Sequence, residues 1–149
     1  MTVRSLLFIA SITVLILVVL PPFLSVEWRF MVLQAFSSLC HQIPERSFHV
    51  HDVSLAVCHR CTGIYAGVPF AMLVMTITKG WGIRKHIWAV ILFSSIAIMG
   101  LDWGLTVVGV WENTLYSRAS TGLLFGLAAG GYLALVLTPR RRSTTIDNP

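Results

Sequence analysis

The sequence predicts an all-α membrane protein: a four-transmembrane-helix bundle with an outer-face loop and a short interfacial helix between spans 1 and 2. Three observations carry this. The 149-residue chain is 56% hydrophobic and only 11% charged, with a mean hydropathy of +0.79, far from the balance of a soluble domain. Four apolar stretches, at about residues 5–24, 58–78, 87–110 and 118–137, are each near the length that crosses ~30 Å of hydrocarbon. Seven of the eleven Lys/Arg (Arg4, Lys79, Arg84, Lys85, Arg140, Arg141, Arg142) flank those stretches on what alternate crossings make one side. Length gives a single integral-membrane domain, residues 1–149.

Residues 6–20 are apolar except for Ser11 and Thr13, and Pro21-Pro22 ends the run. A basic leader before such a run also describes a signal peptide. No small-x-small cleavage site follows in Pro-Pro-Phe-Leu-Ser-Val-Glu-Trp, so a retained first helix is expected. Residues 28–39 are apolar with a period near 3.6 and too short to span. They suit a helix at the interface, with Trp28 and Arg29 at headgroup level. Residues 40–57 read as loop, because Pro44 breaks any helix; His49, Val50 and His51 could be briefly extended.

The second span carries Gly63 and Gly67 at the spacing that lets helices approach closely, and Pro69 within it is tolerated in a membrane helix. Residues 79–86 form a basic turn. The third span is interrupted by Asp102, and residues 111–117 form a polar turn. In the fourth span Gly122, Gly126 and Gly130 fall in register, a ridge expected to pack inside the bundle, with a homodimer contact as the alternative. Pro139 and the three arginines after it end the span, and residues 140–149 read as a disordered tail.

Four crossings put both termini on the basic, cytoplasmic side. The opposite side then holds the 25–57 loop and the 111–117 turn, with Glu27, Glu45, Asp52 and Glu112. The basic residues follow the spans and form no stripe for phosphates, which excludes nucleic acid as a partner and leaves the lipid bilayer.

The chemistry concentrates in residues 40–67, which hold all three cysteines and four of the five histidines. Cys58, Cys61 and Tyr65 share one helical face. Asp102, Thr106, Gly109 and Asn113 make a polar stripe on the third span, with Asp102 ~12 Å below the outer end at 1.5 Å per residue. Arg118, Thr121 and Gly122 line the outer start of the fourth. A carboxylate inside a span needs a partner, and Arg118 is the expected one. An odd cysteine count rules out complete internal disulfide pairing.

Cys-His-Gln-x-Pro-Glu-Arg-Ser-Phe, then nine residues to Cys-x-Arg-Cys-Thr-Gly-Ile-Tyr-x-Gly, resembles an uncharacterised family of small prokaryotic membrane proteins, labelled a domain of unknown function. The later Gly-Leu-Asp-Trp…Glu-Asn-Thr…Arg-x-Ser-Thr-Gly-Leu-Leu-x-Gly segment is similar to that family as well, so the resemblance spans about two thirds of the chain. Its pattern fits Cys40, His41, Gln42, Pro44, Arg46, Ser47, Phe48, Cys58, Arg60, Cys61, Gly63 and Tyr65, and later Asp102, Arg118, Thr121 and Gly122. The chain departs from it near Asp52, where Gly is expected, and near Ala56, where Pro is expected. His49, His51 and His59 lie outside it. The resemblance implies no particular activity.

Three readings of the cysteines stand. The first is a metal site: Cys58-x2-Cys61 with Cys40 is a thiolate set suited to zinc, with copper and iron sharing the preference. The fourth ligand would be His41, with His59, Asp102 or water as alternatives. Three protein ligands and an open position describe a metal-dependent membrane enzyme. In it Asp102 would act as base or support, and Arg46 and Arg118 would bind an anionic or amphipathic substrate at the outer interface. The second is a four-helix thiol–disulfide oxidoreductase using Cys58 and Cys61, with Cys40 as exchange partner. The third is a structural staple in a non-enzymatic protein. The polar set Gln42, Arg46, Asp102, Asn113 and Arg118 favours a working site over a staple.

Overall fold

Pro21 and Pro22 stop the first helix where the sequence predicts a break. In the computed structural model, which describes residues 3–78 and 84–137, helix α1 (Val3–Val19) gives way to a 3-10 turn at Pro21–Phe23. Arg29 secures that turn: Nε donates to Pro21 O and Nη2 to Leu24 O, each at 3.1 Å. Helix α2 (Val26–Ser37) follows. Its Phe36 is buried, while Trp28, Phe30 and Met31 are exposed.

Residues 40–57 are not the loop expected from Pro44. After a 3-10 turn at Pro44–Arg46, strands β1 (Ser47–Val50) and β2 (Val53–Cys58) form an antiparallel hairpin, so the chain is mostly rather than wholly helical. Its two-residue turn puts His51 (φ 50°) and Asp52 (φ 62°) in the left-handed region, as the twist of a tight hairpin requires. Asn-Gly or Asp-Gly would have announced this turn; His-Asp does not. The register shifts between Ser47↔Cys58 and His49↔Ser54, so β2 carries extra residues and bends. Leu55, Ala56 and Val57 are buried in succession. A strand enclosed on both faces loses the alternation that identifies strands in a sequence.

Helix α3 (His59–Ile77) continues directly from β2, with Cys58 at its N-cap. Helices α4 (Lys85–Val107) and α5 (Leu115–Val136) complete the chain. The helices α3, α4 and α5 are each long and apolar enough to cross a membrane, whereas α1 contributes a shorter apolar segment, Ser5–Val19. The prolines account for the difference at the first predicted span, which was expected to run on to residue 24. The predicted turn residues 79–83 and the predicted tail 140–149 lie outside the described residues.

Three small-residue contacts join α3 to α5. A Cβ on Gly122, Gly126 or Gly130 would run into the carbonyl of Arg60, Ile64 or Val68 respectively. The constant step of four on both helices makes them parallel, and the glycine ridge therefore packs inside the bundle. From the other side, a Cβ on Gly67 would sit 2.7 Å from both Leu123 O and Leu127 N. Backbones this close maximise dispersion contact where hydrocarbon gives no hydrophobic drive.

The remaining helices alternate around this seam. Trp88, near the start of α4, covers Gly131, near the end of α5. Leu7 and Phe8 of α1 pack with Met72, Met75, Trp88 and Ala134, whereas Val14 and Val18 pack with the hairpin, Cys61 and Tyr65. Both α1 and α4 thus run antiparallel to α3. Helix α4 has just two buried residues among those described, Trp88 and Ser95. It ends at Gly109 (φ 76°), with Gly109 N to Thr106 O and Val110 N to Leu105 O bonds. This is a Schellman termination. The predicted polar stripe accordingly stops at Thr106, since Asn113 lies beyond the helix, and Asp102 is five residues from the last helical residue, Val107, or ~8 Å.

Candidate metal centre

Two parts of the chain bring the cysteines to the hairpin end of the bundle, the segment after α2 and the β2–α3 junction. Cys40 follows α2 and its amide donates to Phe36 O at 3.0 Å. Cys58 closes β2, and Cys61 lies in the first turn of α3. The three sulfurs lie within 4.8 Å of one another, and all three are free thiols, Cys40 buried and the others half-buried. Tetrahedral zinc with ~2.3 Å bonds needs sulfurs ~3.8 Å apart, so small side-chain adjustments suffice to hold a metal ion.

Gln42 fixes the otherwise remote Cys40. Held at φ 50°, it donates its amide to Leu33 O at 2.7 Å and to Ala56 O at 2.8 Å, tying α2 to β2. The Cys58 amide then donates to Cys40 Sγ at 3.2 Å. Such a bond stabilises negative charge on sulfur. The Cys58 thiol is itself held down to about 5, chiefly by the hydrogen bond from the Cys61 thiol. Apolar groups close the other sides: Val18, Ala56 and Val57, with Phe36 edge-on to Tyr65 at 6.0 Å between ring centroids.

The predicted site residues divide. Cys40, Cys58 and Cys61 come together; His41 is exposed and is not part of the sulfur group. The buried Cys40 side chain and the inward Gln42 amide leave the residue between them facing out. Arg46 is exposed and Arg118 half-buried. Asp102 pairs with Arg60, not with Arg118: Arg60 Nη2 and Asp102 Oδ2 are 2.8 Å apart, linking α3 to α4. Arg118 lies in the first turn of α5, one turn before Gly122, whose Cα packs against the Arg60 carbonyl.

Two residues outside the principal site set expected from the sequence, His59 and Arg60, sit between Cys58 and Cys61. His59 is 4% exposed, its ring edge-on to Phe48 at 4.4 Å. Both its Nδ1 and Arg60 Nε are buried without a hydrogen-bond partner. The signal for Arg60 was present, a charge placed between two cysteines in one helical turn. Its pairing depends on how α3 is rotated against α4, which spacing does not reveal.

Fold and site together define a helical membrane protein with a three-cysteine cluster that could hold a metal ion at one end of the bundle. The chain belongs to the family described as "Predicted membrane protein (DUF2085)", which matches residues 40–132. It is 31% identical over 111 residues to "Uncharacterized protein MJ1492" of Methanocaldococcus jannaschii, covering 71% of this chain and 70% of that one. It is also 31% identical over 103 residues to an "Uncharacterized protein" of Methanothermobacter thermautotrophicus, covering 65% of this chain and 86% of the relative. No solved structure matches.

Proposed function

We propose that this chain is a multi-pass membrane protein whose Cys40, Cys58 and Cys61 hold one thiophilic metal ion, zinc before copper or iron, on the extracytoplasmic side. The observation that carries this reading is the convergence of all three sulfurs within 4.8 Å, with Cys40 brought from the segment after α2 to the β2–α3 junction. A disulfide would use two of them and leave the third idle, whereas a metal engages all three. Thiolate is the binding form, and the Cys58 amide bond to Cys40 Sγ favours it. When bound, such an ion with one position left open supplies Lewis-acid chemistry. The protein's own share is the frame: Gln42 orients Cys40, the apolar shell limits water, and the Arg60–Asp102 pair holds α3 to α4 beside the cluster.

The side of the membrane follows from charge. The alternating helices put the hairpin end opposite Arg84 and Lys85 at the start of α4, and basic residues stay cytoplasmic. With α1 as a fourth crossing, both termini join them.

The test is elemental analysis of detergent-purified protein with thiol counting. About one equivalent of metal, lost in Cys40→Ser, Cys58→Ser and Cys61→Ser alike, is expected. Negligible metal with a titratable disulfide would instead support the second reading, a thiol–disulfide oxidoreductase. That reading draws on the Cys58-x2-Cys61 pair at the start of α3 and the lowered Cys58 thiol.

A further inference from the structure

The three sulfurs of the cluster are close together but not alike. Cys40 is 7% exposed and enclosed by Val18, Phe36, Ala56 and Val57. Its Sγ accepts a hydrogen bond from the Cys58 amide at 3.2 Å, and the Gln42 clamp to Leu33 O and Ala56 O anchors its segment. Cys58 and Cys61 are half-buried. They are the N-cap and the third residue of α3, separated only by His59 and Arg60. A disulfide needs sulfurs ~2.05 Å apart and a dihedral of about 90°, so sulfurs that lie within 4.8 Å must still rotate towards each other. Two half-exposed side chains on one helical turn do so at small cost in packing. Cys40 does so only by giving up its amide bond and opening the apolar shell.

We propose that Cys58 and Cys61 are a redox pair that a small-molecule disulfide oxidises, releasing the metal ion and leaving Cys40 reduced. This coupling rests on the metal reading above. One of the two half-exposed thiolates attacks a sulfur of the incoming disulfide, forming a mixed disulfide and expelling one small thiolate. Its neighbour then attacks the protein-side sulfur of that bond, closing Cys58–Cys61 and expelling the second. Two electrons pass from the cysteine pair to the incoming disulfide, and the two expelled thiolates take protons from water. The ion leaves with its charge unchanged, because Cys40 alone offers one ligand where such an ion takes four. Disulfides persist on the extracytoplasmic side, so occupancy by metal there reports that the pair is reduced.

The test uses the full chain in neutral detergent, loaded with zinc and washed free of excess. Zinc is counted before and after oxidised glutathione is added, and disulfides are mapped by mass spectrometry of unreduced peptides. Loss of about one equivalent of zinc and release of about two equivalents of glutathione thiol are expected. The peptide map should show a Cys58–Cys61 bond, with Cys40 still open to alkylation after unfolding. Reduction with dithiothreitol should restore zinc binding. Cys40→Ser, oxidised in the same way, should form the same Cys58–Cys61 bond. Zinc retained through oxidation, or a principal disulfide in the unsubstituted protein that includes Cys40, overturns the proposal and leaves the metal reading intact. Absence of zinc before the oxidant is added overturns the metal reading and the coupling with it.

Discussion

The guanidinium of Arg60 and the carboxylate of Asp102 meet at 2.8 Å, with side chains 21% and 11% exposed. This is the one salt bridge among the described residues, and it crosses from the α3–α5 seam to the loosely buried α4. Removing one partner of a withdrawn pair leaves a charge without compensation, which costs more than removing both. Asp102→Asn should therefore destabilise the protein by about 2–3 kcal/mol, and adding Arg60→Gln should restore part of the loss. A double-mutant cycle on detergent-solubilised protein checks this; additive losses would mean that the pair contributes no coupling.

Gly67→Ala should be far more damaging than its size suggests. Its Cβ would lie 2.7 Å from Leu123 O and Leu127 N, both backbone atoms that retreat only if the helices separate. A cost of about 1–3 kcal/mol is expected from overpacking. Gly100 and Gly104 supply the control, since nothing lies within 4 Å of a Cβ there. Alanine at those positions should leave thermal stability within about 0.5 kcal/mol. Equal effects at Gly67 and Gly100 would contradict the close α3–α5 seam.

Gln42→Ala should loosen Cys40 without touching a sulfur. Both bonds from its amide, to Leu33 O and Ala56 O, would be lost, leaving two inward carbonyls to find other partners at about 1–3 kcal/mol each if they do not. Faster hydrogen exchange along β2 and weaker metal retention are expected together. Loss of metal without faster exchange would argue that Gln42 acts on the ion directly.

Alkylation reports the thiol chemistry. In metal-free protein the Cys58 thiol is lowered to about 5, chiefly by the Cys61 hydrogen bond. A depressed value means that the thiolate is favoured in the fold. Its contribution to stability is fully present above the unfolded value of about 8.5 and is lost as pH falls through about 5. Iodoacetamide should thus label Cys58 first at pH 6–7, followed by peptide mass mapping, and Cys61→Ser should slow that labelling. Preferential labelling of the buried Cys40 would contradict the arrangement.

Added metal should block the same reaction. Zinc supplied at equimolar concentration is expected to protect all three cysteines from alkylation and to raise the midpoint of thermal unfolding, since a ligand of the folded state alone stabilises it by mass action. Protection of Cys58 and Cys61 with Cys40 unchanged would show that the third sulfur takes no part.

The sequence by itself determined what depends on neighbours along the chain. Apolar length set α3, α4 and α5 within a few residues, Pro21 and Pro22 ended α1, and the spacing of Gly122, Gly126 and Gly130 announced a packing ridge. The shared face of Cys58 and Cys61 also follows from helical spacing. Only the tertiary structure decided what meets across elements. Residues 40–57 became a hairpin because β2 is enclosed by α1 and α2, a burial that erases strand alternation. Asp102 found Arg60 instead of Arg118 because Arg60 packs level with Gly122, one helical turn deeper in the bundle than Arg118. Cys40 reaches Cys58 through the Gln42 clamp, across seventeen intervening residues. Periodicity records which residues share a face. It does not record which face another element will cover.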